Sequence, residues 1–269
     1  MPRNRTRHRD HDRSEQVGWV PATAATLSGL VLVAIIGWYG WQRYTQVPHD
    51  KQSGCPLSGP IAVHAILVDR SDPLTPVQSE RLHQLVEDVA VHAAVDERVD
   101  LYVLTSGGGA AATPVLSLCR PPSEGNRLTE NPERLRRAFA QRFLNPLESA
   151  VNEFSQPTET PDSPIMESVK AVCVTAFGGL NSKVRTQLSI ASDMIENSPV
   201  LNQYRPYDVE SFFRSPKVAL VLADCHGANV DILYFTRPRD ARYQTRMHEL
   251  FWERFLDRMN ARLMSMERI

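Results

Sequence analysis

The apolar positions of this chain follow three rhythms. The first is continuous. Residues 17–41 carry no charge, and the centre of that stretch, Leu27 to Gly37, is strongly apolar. A bilayer's hydrocarbon core needs roughly 20 such residues to be crossed. Trp19 stands at one end, and Trp38, Tyr39, Trp41 and Tyr44 crowd the other. Amphipathic rings favour both interfaces. Pro21 falls in the first turns, where a missing N–H costs little. The pattern predicts one membrane-spanning helix over 17–41. A cleaved signal peptide is the rival, but Trp38-Tyr39-Gly40-Trp41 follows the apolar run where a small-x-small site is needed.

The other two rhythms alternate after a Pro- and Gly-bearing stretch, 42–60, that reads as a linker. Short apolar runs predict strands at Ile61 to Val68, Val99 to Thr105, Pro114 to Cys119, Val184 to Ser192 and Val230 to Thr236, with a last one at Arg262 to Glu267. Helical spacing predicts helices at Pro76 to Val95, at Asn131 to Ser149 (Leu135, Phe139, Phe143) and at Asp240 to Met259 (Tyr243, Met247, Phe251, Phe255). A further helix starts at Ser163 to Ala176, with Ser163 in the cap position and Pro164 first in the helix. Gln156 to Pro164 before it is a polar, Pro-rich loop. Lys217 to Ala223 fits either a strand or a helix closed by Gly227. The clearer strand that follows favours the helix. Ser106-Gly107-Gly108-Gly109 is a turn, since no Lys-Ser/Thr follows to make it a phosphate loop. Strands alternating with helices predict an α/β domain over 61–269, a Rossmann-like doubly wound, mostly parallel sheet covered on both faces. Its site belongs at the carboxyl ends of the strands.

Charge adds topology. The chain has 269 residues with 30 basic and 31 acidic side chains, which gives no general case for nucleic-acid binding. Residues 1–16 lack apolar periodicity and read as a disordered basic tail. Basic residues are denser before the span than after it. By the positive-inside rule the N-terminus is cytoplasmic and the domain exported, into the periplasm of a bacterium. The four cysteines, Cys55, Cys119, Cys173 and Cys225, show no CxxC spacing and no zinc pattern. An exported domain permits disulfides.

The candidate chemistry lies in Leu67-Val68-Asp69-Arg70-Ser71-Asp72-Pro73. A carboxylate and a hydroxyl two residues apart on a strand exit offer oxygen ligands to a hard divalent cation. Ser163 and Asp193 add oxygens if their loops meet the first. Other chemistry is poorly supported. Asp69-Arg70-Ser71 lacks the second acid of a dehalogenase-type phosphatase, and no Gly-x-Ser-x-Gly elbow is present. His226 is adjacent to Asp224 and Cys225, and adjacent side chains seldom face each other. His248, beside Glu249, reads as a surface residue.

Together these segments resemble the von Willebrand factor A-type domain. That family carries an Asp-x-Ser-x-Ser loop after its first strand, a Thr or Ser at a later helix start, and an Asp after its fourth strand. Asp69 and Ser71 match the loop, Ser163-Pro164-Ile165-Met166 resembles the helix start, and Leu188 to Asp193 resembles the fourth strand and its end. Pro73 departs from the pattern, standing without a side-chain oxygen where the second Ser belongs. The resemblance implies a strand order 3-2-1-4-5-6 with strand three antiparallel. It implies a metal site of Asp69, Ser71, Ser163 and Asp193 holding Mg²⁺, or another divalent cation such as Mn²⁺ or Ca²⁺. It also implies a protein partner, whose acidic side chain completes the coordination sphere, and binding with no catalysis. A metal-independent scaffold of the same fold is the alternative, and a metal-assisted phosphoester hydrolase ranks last. The implied strand order brings Cys55 near Cys119 as a disulfide and leaves Cys173 and Cys225 as buried thiols. The linker then enters opposite the ligand face, so that face is expected to point away from the membrane.

Overall fold

A computed structural model describes residues 19–44, 47–104, 113–125, 131–154 and 162–269. Contacts divide the chain into two units, Met1–Val47 and Pro48–Ile269. In the first, helix α1 runs Trp19–Tyr44. Every large apolar side chain from Leu27 to Trp41 is at least 55% exposed. Among the described residues no helix is long and apolar enough to cross a membrane. Side chains of α1 are described only over 26–41, fewer than the roughly 20 positions a span needs. The tail 1–16 and the side chains of 17–25 lie outside the described residues.

The second unit is built on β1, Ala62–Asp69, whose eight residues are all buried. A near-continuous apolar run is what a strand covered on both faces requires. Thr75 then caps α2, Pro76–His92, in a reciprocal box with Gln78, a cap that stabilises by about 1 kcal/mol. Strand β2 is Arg98–Leu104 and β3 is Leu116–Cys119. The predicted turn at 106–109 lies outside the described residues. The helix predicted over 131–149 extends further, as α3 (Pro132–Phe139), a π-helical turn at Ala140–Leu144, and α4 (Asn145–Phe154). Most of the loop predicted at 156–164 also falls outside the described residues.

Helix α5, Ile165–Val172, runs into a second π turn, Cys173–Phe177, and then β4, Arg185–Ser192. A short α6, Val209–Arg214, leads to a 3-10 turn at Pro216–Leu220. Lys217 to Ala223 is therefore no strand, and Gly227 (φ +71°) serves the turn into β5, Ala228–Tyr234, rather than a helix end. The chain closes with α7, Arg246–Arg258, and β6, Ala261–Arg268.

The sheet order is β3-β2-β1-β4-β5-β6. Only the β2–β3 pair is antiparallel; β2, β1, β4, β5 and β6 run parallel to one another. Alternate residues of β1 feed two cores. Val63, Ala65 and Leu67 belong to the core that also takes in α5 and α7, while Ile66 and Val68 belong to the one that takes in α2 and α4.

Three expectations need correction. The stretch read as a linker is ordered against the sheet from Pro48 onward. Gly54, in the left-handed region at φ +70°, turns it so that Cys119 N–H donates to the Ser53 carbonyl at 2.9 Å, and Cys55 is bonded to Cys119. Second, Cys173 and Cys225 are no free thiols but a second disulfide, with Cα atoms 4.7 Å apart. The π turn after α5 carries Cys173 to the loop before β5, a proximity that spacing along the chain does not reveal. Third, the inward stripe of α7 keeps the expected Phe251 and Phe255 but shifts off Met247. Met247 is 64% exposed, and His248, Phe251, Trp252, Phe255 and Leu256 are buried. His248 is thus no surface residue. Its ring meets Tyr234 Oη at 2.8 Å and Gln203 Oε1 at 2.9 Å.

The Cys173–Cys225 bridge closes a loop of sequence separation 52, for which chain-entropy reasoning expects about 4 kcal/mol. Replacing both cysteines by alanine should lower the urea-unfolding free energy by about 2–4 kcal/mol. No loss in the absence of reductant would contradict the bridge.

Candidate functional site

The order β2-β1-β4-β5 makes the boundary between β1 and β4 the place where successive connections leave in opposite directions. A crevice at the carboxyl ends of the strands belongs there. Asp69 ends β1 and Ser192 ends β4, with Val68 beside Ala191 one step earlier. The two exits are therefore adjacent, and Asp69 and Asp193, the residue after Ser192, are each 4% exposed.

Asp69 is held by three donors. Its Oδ1 accepts from the Ser71 N–H at 2.9 Å. Its Oδ2 accepts from Ser192 Oγ at 2.8 Å and from Ser163 Oγ at 3.2 Å. Ser163 is therefore not the helix cap expected of it. Pro164 takes the cap position of α5. Ser163 pairs its backbone with Asn197 through two bonds of 2.9 and 3.0 Å, which leaves its hydroxyl turned to Asp69.

Asp193 is aimed by a strained turn. Met194, the next residue, has φ +60°, a conformation that costs a non-glycine residue roughly 1–2 kcal/mol. Such strain gathers at functional sites. The turn is held by Met194 N–H donating to Ser192 Oγ at 2.8 Å and by Trp252 Nε1 donating to the Met194 carbonyl at 2.7 Å. Asp193 Oδ1 accepts from the Ile195 N–H at 2.9 Å. Burial first, then the charge of Asp69, pushes the Asp193 carboxyl up to about 7, against the lowering effect of the Ile195 N–H and Arg237.

The four expected residues thus fall in one place, with unequal involvement. Asp69, Ser163 and Asp193 converge as buried side chains, and Ser71 enters through its backbone N–H. Sequence reasoning missed Ser192, Arg237, Arg239 and the role of Asp72. Arg237 donates from Nη1 to the Pro73 carbonyl at 2.6 Å, and its Nε lies 3.9 Å from Asp193 Oδ2. Arg239 donates to Asp72 at 2.5 Å and to Asp240 at 3.0 Å. Gln244, 4% exposed, ties this arginine loop to the site: its Nε2 donates to the Asp193 carbonyl at 3.1 Å and its Oε1 accepts from Arg237 N at 2.7 Å. The available signal was position, since Arg237 to Asp240 leave the carboxyl end of β5.

The donor chemistry fits a hard cation. Two buried carboxylates and the hydroxyls of Ser163 and Ser192 meet the oxygen preference of Mg²⁺, which often takes only one or two carboxylates. Among the described residues no group of three or more His, Cys, Asp or Glu side chains is placed to hold a metal. This site offers two acids, with hydroxyls for the rest.

No protein-family model matches the sequence, and no curated protein matches it. Solved structures do. An aerotolerance-related membrane protein from Bacteroides fragilis is 11% identical, with 77% of this chain and 91% of that chain covered and a TM-score of 0.36. The VWA domain of SpRpn10 is 10% identical, covering 77% and 88%, at 0.35. BatB from Bacteroides thetaiotaomicron is 9% identical, covering 77% and 91%, at 0.38. The class the chain itself defines, by strand order, is a doubly wound α/β domain with one antiparallel edge strand.

The raised Asp193 carboxyl has a signed consequence. Its unfolded value is near 3.8 and its folded value about 7. Only the folded state holds this proton between those limits, so the contribution to stability is full below about pH 4 and is lost as pH rises to about 7. His64 and His248 act oppositely, since burial pushes both down to about 4 from 6.5. The informative quantity is therefore a difference. In EDTA, the unfolding free energy of wild type minus that of Asp193→Asn should fall as pH rises from about 4 to about 7. A flat difference would contradict the burial and pairing of Asp193.

Proposed function

We propose that this chain is a membrane-tethered protein-binding domain that docks its partner through a divalent cation at the ends of β1 and β4, serving adhesion or the assembly of a membrane-associated complex. The observation that carries this reading is the pair of buried carboxylates, Asp69 and Asp193, beside the hydroxyls of Ser163 and Ser192. The resemblance to von Willebrand A-type domains supports it at Asp69, Ser71, Ser163 and Asp193. These four would hold Mg²⁺, or Mn²⁺ or Ca²⁺. A bound ion supplies a coordination position for an acidic side chain of the partner. The chain's own residues prepare that position: Ser192 and Ser163 orient Asp69, and the Met194 turn aims Asp193. The role is binding, with no catalysis.

The tether is the stretch 17–41, with the N-terminus cytoplasmic and the domain exported. Its support is the apolar surface of α1, exposed from Leu27 to Trp41, because a large contiguous apolar surface marks a membrane or protein contact. Two disulfides suit an oxidising compartment. A reporter fused after Ile269 should show only export-dependent activity. Activity characteristic of the cytoplasm would overturn this placement.

A metal-independent scaffold remains the second reading, favoured by Pro73, which offers the site no side-chain oxygen. The two separate in one experiment. Full chain with Asp69→Ala or Asp193→Ala, or wild type in chelator, should retain about a tenth or less of its partner on co-purification. Unchanged capture by folded variants would sink the metal-dependent model in favour of the scaffold.

A further inference from the structure

Arg237 places a permanent positive charge inside the candidate site. Its side chain is only 12% exposed. Nη1 is spent on the Pro73 carbonyl at 2.6 Å, with a longer contact to Gln78 Oε1 at 3.4 Å. Nε is buried without a hydrogen-bond partner and faces Asp193 Oδ2 at 3.9 Å. That separation is too long for a hydrogen bond, but the fixed guanidinium charge favours the ionised form of the Asp193 carboxyl. A guanidinium cannot shed its proton to relieve crowding. Nor is it free to drift. Gln244 holds its backbone N–H at 2.7 Å and is itself bonded to the Asp193 and Phe235 carbonyls at 3.1 and 2.8 Å.

Pro73 takes a new meaning from this contact. Where the resembled loop carries a second serine, the backbone carbonyl of Pro73 anchors an arginine. The position has exchanged an oxygen that would serve a cation for one that holds a rival to it. Arg239 differs: it is 65% exposed, and its partners are Asp72 and Asp240, so solvent screens its charge.

We infer that Arg237 is a tethered counter-charge that competes with the divalent cation for Asp193 and so determines the metal affinity of the site. The inference rests on the metal-dependent reading proposed above. An arriving ion meets a cation already beside one of its two carboxylates. Either the guanidinium leaves, breaking its bond to Pro73, or the ion binds against repulsion. Both weaken binding.

Manganese titrated into the full chain, followed by loss of the free-Mn²⁺ electron paramagnetic resonance signal, tests this. Arg237→Gln and Arg237→Met, two neutral replacements of similar length, should each bind Mn²⁺ about tenfold or more tightly than wild type. Arg237→Lys, which keeps the charge, should stay near wild type. Arg239→Gln should shift affinity less than about threefold. Adding Asp193→Asn to Arg237→Gln should abolish the gain. Circular dichroism in EDTA identifies any variant that fails to fold, and the other neutral variant then carries the comparison. Asp193-dependent binding that is equal or weaker in the folded neutral variants would overturn the role of Arg237 while leaving the metal site standing. An absence of Mn²⁺ binding in every variant would remove the metal-dependent reading and this inference with it.

Discussion

The adjacency of β1 and β4 governs the rest of this domain. Their parallel pairing places Asp69 beside Ser192 and leaves Asp193 one residue further on, so two carboxylates are buried at one end of the sheet. Burying even one such charge is costly unless it is paired or hydrogen-bonded. The surrounding loops can be understood as answers to that cost. Ser71, Ser192 and Ser163 donate to Asp69, Ile195 donates to Asp193, and Arg237 brings charge from the exit of β5. Met194 accepts a left-handed backbone so that Asp193 can turn inward, and Trp252 from α7 holds that turn.

The opposite end of the sheet is held covalently. The Cys55–Cys119 bridge fastens the segment entering β1 to the antiparallel edge strand, and Cys173–Cys225 fastens the turn after α5 to the entrance of β5. Both bridges restrict the unfolded chain. They leave the carboxyl ends of the strands, where the polar chemistry lies, unbridged. A rigid sheet with bridges at its base lets the loops above β1, β4 and β5 carry strain and buried charge.

Much of the fold was legible because its signals are local and periodic. The uninterrupted apolar run of β1 announces a strand covered on both faces, and the helical spacing that opens at Pro76 announces α2. The site was legible in part. Asp69, Ser163 and Asp193 could be marked because strand ends in parallel sheets are where ligands bind, and because their order along the chain resembles a known family. What escaped depends on three-dimensional placement. Cys173 and Cys225 are each unremarkable in sequence and meet only because a π turn redirects the chain. His248 looked exposed beside Glu249, yet Tyr234 and Gln203 give it buried hydrogen-bonding partners. Ser163 looked like a helix cap, but its backbone bridge to Asn197 freed its hydroxyl for Asp69. Arg237 carried no motif at all, and only the meeting of the β5 exit with Pro73 and Asp193 gives it a role.

The central claim is that Asp69 and Asp193 form a cation site shared between two strand ends. Crystals of the protein equilibrated with saturating Mn²⁺, with diffraction recorded for anomalous scattering, test it most directly. The account predicts an anomalous peak among the oxygens of Asp69, Ser163 and Asp193, lost in Asp193→Asn. Ordered side chains there with no peak, or manganese bound only elsewhere on the surface, would contradict it.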